Sequence, residues 1–313
     1  MGDYSAKERA YTSRSGLSAI GLKLEQMELL APIHRLVEIP QKTVQYSPLD
    51  KLMDAFIGIM AGSRGIVEIN NCLRTDRGLQ RGFGRESCAE QSTVQDTLNA
   101  CQDTTIVQME QAVTEIYQRH SLAIHHNYRT KLQLLDIDFT GLPCGPKAEK
   151  SLLGYFDGEI RYGRQIGRVI AAHYQEIAID RLYPGNTTLT MQLRELIALA
   201  EEMLGLDEDK IKRCVLRIDA GGGSVDDINW MLRRGYHLHC KAYSSYHAEQ
   251  SAEVVKEWIK DNRDPRREYG WTNLSGQRQA NVNPYARPTR RIIAAQLQKR
   301  WAHLLHLSIG FYA

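Results

Sequence analysis

Between about Pro48 and Ser121 apolar residues recur at three- and four-residue steps, the spacing of helices that bury one face. Leu49, Leu52, Met53, Phe56, Ile57 and Met60 form one run, and Val94, Leu98 and Cys101 a second, with Ser92 or Thr93 as its N-cap. A third starts near Thr105 and passes through Val113, Ile116 and Tyr117. The first two are joined by Arg74-Thr-Asp-Arg-Gly-Leu-Gln-Arg-Gly-Phe-Gly-Arg85, a basic connector punctuated by glycine. Helices with a basic turn between them are compatible with a helix-turn-helix DNA-binding unit, and equally with any small helical domain. The reading is a polar arm over 1–30 and a helical domain over 31–128.

After Tyr128 the period shifts toward that of strands. Leu132 to Phe139 is an apolar run holding two acids, Ile166 to Tyr174 and Ile177 to Tyr183 are β-like, and Pro184-Gly185-Asn186 is a turn. Leu193, Leu196, Ile197, Ala200, Met203 and Leu204 mark one face of a helix closed by Gly205. Cys214 to Ile218 predicts a buried strand, Ser224 to Arg234 a helix closed by Gly235, and Tyr236 to Tyr243 another strand. The resulting β-β-β-α-β-α-β order predicts an α/β fold with a mixed sheet and helices on its faces. It is also the ribonuclease-H-like order, in which acids on the first and fourth strands lie side by side. Gly270 to Arg287 reads as a long loop, and Arg290 to Gln298 and Leu304 to Ile309 as two further β-like stretches of a second domain over 129–313.

Composition narrows the class. With 313 residues, 42% hydrophobic and 25% charged, the chain has the make-up of an ordinary globular protein rather than a disordered or fibrous one. The net charge of +3 conceals an asymmetry: no Asp or Glu follows Glu268, while Arg278, Arg287, Arg290, Arg291, Lys299 and Arg300 do, so residues 1–268 carry −3. A basic end suits a polyanion such as nucleic acid. Six cysteines without a CxxC pair point to reduced thiols, and the N-terminus lacks the apolar core of a signal peptide. These features predict a cytoplasmic protein without a membrane span.

The informative residues are acids inside apolar strands, at Leu135-Asp136-Ile137-Asp138-Phe139-Thr140 and Leu216-Arg217-Ile218-Asp219-Ala220-Gly221. A carboxylate in such a run is costly to bury without a partner or a metal. Hard divalent cations take oxygen ligands, and a pair of metal ions can stabilise the attacking and leaving oxygens of phosphoryl transfer. Asp136 and Asp138 share a face by the period of two, so either suits the ligand position. Asp219 precedes three glycines and Ser224, a turn at which backbone can approach a phosphate.

Asp138-Phe-Thr140 at a strand end, Tyr183-Pro-Gly-Asn-Thr187 before a helix, and Arg217-Ile-Asp-Ala-Gly221 followed by a helix and Arg234-Gly-Tyr236 together resemble the DDE transposases of bacterial insertion sequences. The likeness is to the subgroup with β-structure inserted before the final Glu; it covers roughly 130–245, with 50–128 similar in style to its DNA-binding part. The resemblance implies a ribonuclease-H-like catalytic domain whose Asp138 and Asp219 hold Mg²⁺ or Mn²⁺. It also implies binding to the inverted repeats of transposon ends, hydrolysis and strand transfer into target DNA, a homodimer assembled on double-stranded DNA, and a nucleoid-associated bacterial location. The third acid departs from the pattern: either Glu253 or Glu257, on a helix near Ser251 to Lys260, supplies it, or the chain ends before it. The second reading makes 129–313 a C-terminally truncated domain, and the chain a DNA-binding remnant without catalysis.

Asp136-Ile-Asp-Phe-Thr-Gly141 with Ile218-Asp-Ala-Gly-Gly-Gly-Ser224 also resembles the phosphate motifs of actin-like ATPases and sugar kinases, although Phe139 stands where that family places Gly. His237-Leu-His239-Cys240 has no companion pair at zinc-finger spacing. Arg161, Arg164 and Arg168 suit either DNA-backbone contacts or a solvated strand face.

Overall fold

The computed structural model describes residues 10–219, 224–241, 252–264, 267–273, 290–296 and 304–309. The chain divides after His120 into two units. The first is helical: α1 Ser15–Gln26, α2 Ala31–Leu36, α3 Pro48–Met60, α4 Ile69–Cys72, α5 Arg77–Gly82, α6 Gln91–Asn99 and α7 Asp103–His120. The predicted period is kept in α3, whose Ile57 packs with Ile69, Leu73, Leu79 and Val94 in one core cluster. Its start is fixed by a capping box: the Asp50 N–H donates to Ser47 Oγ at 3.0 Å, and the Ser47 N–H donates to Asp50 Oδ2 at 3.1 Å. Helix α6 begins earlier than its sequence predicts. Its N-cap is Glu90, so Ser92 and Thr93 lie inside the helix.

The expected polar arm is corrected by α1, which packs on α5 with Leu17 and Leu24 against the core cluster. Glycines permit the approach. A Cβ on Gly21 would lie 2.4 Å from the Gly82 carbonyl oxygen, and one on Gly82 would lie 2.8 Å from Ser18 Cα. The short α1 stripe carries little apolar signal of its own, because backbone proximity replaces side-chain burial at this crossing. The basic connector is itself corrected by α5, which the glycines disguise.

The second unit contains β1 Gln133–Pro143, β2 Leu152–Phe156, β3 Glu159–Ala171, β4 Glu176–Pro184, α8 Leu189–Leu204, α9 Glu208–Ile211, β5 Cys214–Ile218, α10 Val225–Arg234 and β6 His237–Lys241. Beyond these lie β7 Trp258–Lys260, β8 Arg267–Asn273, β9 Arg290–Gln296 and β10 Leu304–Ile309. The strands form one mixed sheet in the order β2-β3-β1-β5-β6-β10-β9-β8-β7, with β4 on the β2 side of β3. β1 runs parallel to β5, and β5 to β6, while β3 is antiparallel to both β1 and β4. The extra strand β2 escapes the sequence pattern because most of it is exposed.

Helix α8 ends on Gly205 in the left-handed region (φ 58°), and α10 on Gly235 (φ 111°), both as the glycines predict. The helix expected near Ser251 to Lys260 is corrected at its C-terminal end: Ala252 and Glu253 are helical, Trp258–Lys260 form β7, and Ser251 lies outside the described residues. The predicted loop from Gly270 is corrected as far as Asn273, since Trp271 sits in β8 opposite Ile292. Residues 274–287 of that loop lie outside the described residues. Among the described residues no helix is long and apolar enough to cross a membrane.

The strands at the centre of this sheet bury alternate residues. Leu135 and Ile137 of β1, Val169 and Ala171 of β3, and Leu216 and Ile218 of β5 are at most 3% exposed. On that face Phe139 stacks on Tyr183 with ring centroids 5.5 Å apart. Gly167 makes room for the stack and for Leu196 of α8, since a Cβ there would meet all three side chains within 3.0 Å. Helices α8 and α10 touch each other, and α8 touches β1, β3 and β4. Asp136, Asp138, Arg217 and Asp219 therefore occupy the opposite face.

Candidate metal centre on the open sheet face

The parallel ladder of β1 and β5 pairs Asp136 with Arg217 and ends at Ile137 opposite Ile218. One step further, Asp138 and Asp219 emerge side by side from neighbouring strands. Both are exposed. Partial withdrawal from water pushes the Asp138 carboxyl above its ordinary value of 3.8, and the nearby Asp219 and Asp136 charges push it the same way. A bond of 2.8 Å from the Phe139 N–H to Asp138 Oδ1 opposes them. A carboxyl raised by neighbouring negative charge favours a cation that lies beside it.

Two arginines on this face are committed elsewhere than to Asp138. Arg168, opposite Asp138 on β3, turns to Asp180 of β4, with Nη2 at 3.2 Å from Oδ2. Arg217 grips Asp136 with two donors: Nε donates to Oδ1 at 2.7 Å, and Nη2 donates to Oδ2. Asp138 is thus without an ion-pair partner among the described residues. Of the two acids that sequence spacing made equivalent on β1, the structure neutralises Asp136 and leaves Asp138 beside Asp219. Two exposed carboxylates from adjacent strands suit a hard divalent cation, which takes oxygen ligands.

Sequence reasoning missed the Arg217 grip. Its signal is a matched spacing, Asp-x-Asp on one strand and Arg-x-Asp on the next, which becomes meaningful once the strands are known to be parallel neighbours. The thiol of Cys240, on β6, is pushed up to about 12 by burial first and by the Asp219 charge second, so it stays protonated. The glycines of Gly221 to Gly223 lie outside the described residues. Just after them, the Asp227 N–H donates to Ser224 Oγ at 3.1 Å, which starts α10.

The sheet order separates the strand that Glu253 and Glu257 precede from β5. They precede β7, five strand steps from β5, which at about 4.8 Å per step is roughly 24 Å. Among the described residues no group of three His, Cys, Asp or Glu side chains is arranged to hold a metal. His237 donates from Nε2 to the Lys212 carbonyl oxygen at 3.0 Å. Arg161 pairs with Asp157 at 2.8 Å, and Arg164 Nε donates to the Glu149 carbonyl at 2.5 Å. In the helical unit a cleft of about 680 Å³ is lined by Glu25, Glu28, His34 and Arg35, among others, and contains none of the residues predicted to act in catalysis.

No family model matches this chain, and no curated protein matches it. Among solved structures it is similar to a piggyBac transposase synaptic complex with hairpin DNA, at a TM-score of 0.43 and 14% identity over 97% of this chain. This chain spans 64% of that transposase's length. It is also similar to endonuclease V from Bacillus subtilis, at a TM-score of 0.24 and 13% identity, over 66% of this chain and 76% of that one.

Proposed function

We propose that the chain is a DNA transposase of the DDE type, with a ribonuclease-H-like catalytic unit. The observation that carries the reading is the β1–β5 register, which sets Asp138 beside Asp219 on the solvent face of a mixed sheet. The order β4-β3-β1-β5-β6, with β1, β5 and β6 parallel, supports it, because it places acids of the first strand and of the fourth principal strand next to one another. Asp138 and Asp219 would hold Mg²⁺ or Mn²⁺, which supplies charge stabilisation at a phosphodiester when bound. The chain's own part is to present carboxylate oxygens on a rigid sheet while Arg168 and Arg217 stay engaged elsewhere.

The helical unit is proposed to grip the inverted repeats. Arg74, Arg77 and Arg81 are exposed, and the last two lie four residues apart on one side of α5, which suits a phosphate backbone. Two protomers on two transposon ends complete the reading.

The test is cleavage of duplex DNA that carries the ends flanking the gene, with Mn²⁺ present. Activity that Asp138→Ala or Asp219→Ala abolishes, by at least about 10²-fold as expected for a lost charge-stabilising group, supports the proposal. Binding of those ends without any cleavage supports instead the catalytically inactive remnant. Binding of ATP rather than DNA would favour the actin-like reading, although Phe139 is packed on Tyr183 at the position where that reading needs glycine.

A further inference from the structure

We infer that the Asp136–Arg217 pair is a positioning device that sets the separation of the two candidate metal carboxylates; the inference rests on reading Asp138 and Asp219 as metal ligands. The backbone ladder between β1 and β5 stops at Ile137 and Ile218. Asp138 and Asp219 lie one residue beyond that last pair, so backbone pairing does not by itself fix the separation of their carboxyls. A side-chain tie across the two strands is the two-donor bond from Arg217 to Asp136, on the same face and two residues before each acid. A guanidinium that meets a carboxylate with two parallel bonds fixes both distance and plane, which a single bond does not.

The pair has a second consequence. Asp136 and Asp138 share a face, and Arg217 occupies both oxygens of Asp136, so one carboxylate of β1, not two, is offered to a cation. Exposure argues against a mainly stabilising role: the side chains of Arg217 and Asp136 are 48% and 26% exposed, and ion pairs so accessible to water contribute little to folding.

Position and charge make opposite predictions. If the pair acted through charge alone, Arg217→Gln would make the face more negative and tighten cation binding, whereas Asp136→Asn would loosen it. If it acts through position, both variants loosen it. The experiment is a titration of the purified full chain with Mn²⁺ alone, read from the electron paramagnetic resonance signal of the free ion, with circular dichroism as the check on folding. Both single variants are expected to bind Mn²⁺ about 10-fold or more weakly, the usual cost of losing a residue that orients a ligand. Arg217→Lys, which keeps the charge and loses the fork, is expected to stay weak, and the exchanged pair Asp136→Arg with Arg217→Asp to recover most of the affinity.

Binding by Arg217→Gln as tight as the unaltered chain, or tighter, overturns the inference, as does a folded exchanged pair that recovers nothing. Mn²⁺ binding that neither Asp138→Asn nor Asp219→Asn weakens, or no binding by the unaltered chain, overturns the metal reading itself and the inference with it.

Discussion

Arg85 ends, by sequence, the basic connector punctuated by glycine. In the fold its side chain is largely withdrawn from water, 12% exposed. Its Nε donates to Asp54 Oδ1 at 3.0 Å, Nη2 donates to Oδ2 at 3.3 Å, and Nη1 pairs with Asp50. The Asp54 side chain is fully buried and also accepts the Ala89 N–H at 2.8 Å. Burial pushes Asp54 above the ordinary carboxylate value, and the Arg85 bond pulls it back. Arg85→Ala would leave this carboxyl buried without its cation. The expected loss of stability is about 3–5 kcal/mol, and denaturant unfolding of the helical unit measures it; a loss below 1 kcal/mol would show that water reaches Asp54. The same distinction between two chemically alike residues decides the second unit, where Asp136 and Asp138 differ only in which neighbour claims them.

At the scale of elements, glycine stops were the legible part, whereas the N-cap of α6 was not. Gly205 and Gly235 end their helices in the left-handed region, and Ser224 caps α10, all from residue types with a known backbone preference. Elements that lack such punctuation, or whose apolar face is narrow, were lost. Helix α1 is held by close backbone approach at Gly21 and Gly82, the segment before it approaches Gly78, and α5 hides among the glycines that permit this. Gly82→Val would drive a side chain into Ser18, whose Cα would lie 2.8 Å from the added Cβ. Overpacking of this kind costs about 1–3 kcal/mol, so a lower melting temperature with displaced α1 is expected. Faster hydrogen exchange confined to α1 and α5 would locate the damage, and unchanged exchange there would refute the crossing.

At the scale of the molecule, the two units each have an interior of their own. Ile57, Leu73, Leu79 and Val94 close the helical core, and the α8 face of the sheet closes the other. Residues 1–120 expressed alone are therefore expected to fold, with a helical circular dichroism spectrum and cooperative melting. A non-cooperative melt would mean that this core needs residues after 120. The sheet order also adds an observation about the third acid that periodicity cannot supply. Glu253 and Glu257 follow β6 closely in the chain, yet β10, β9 and β8 intervene between β6 and the strand they precede.

Sequence alone determined what depends on neighbours within a few residues. The helical period of α3, the alternation that buries Leu135 and Ile137 beneath Asp136 and Asp138, and the glycine stops are all local consequences of side-chain spacing and backbone preference. The acid-free last 45 residues were likewise visible at once as a basic end. Tertiary structure alone decided which residues meet. The parallel register of β1 and β5 brings together positions 81 residues apart, so that Asp138 stands beside Asp219 while Arg217 claims Asp136. The physical reason is range: spacing along a strand fixes the face on which a charge appears, but its partner lies across a hydrogen-bonded ladder that no stretch of contiguous residues encodes.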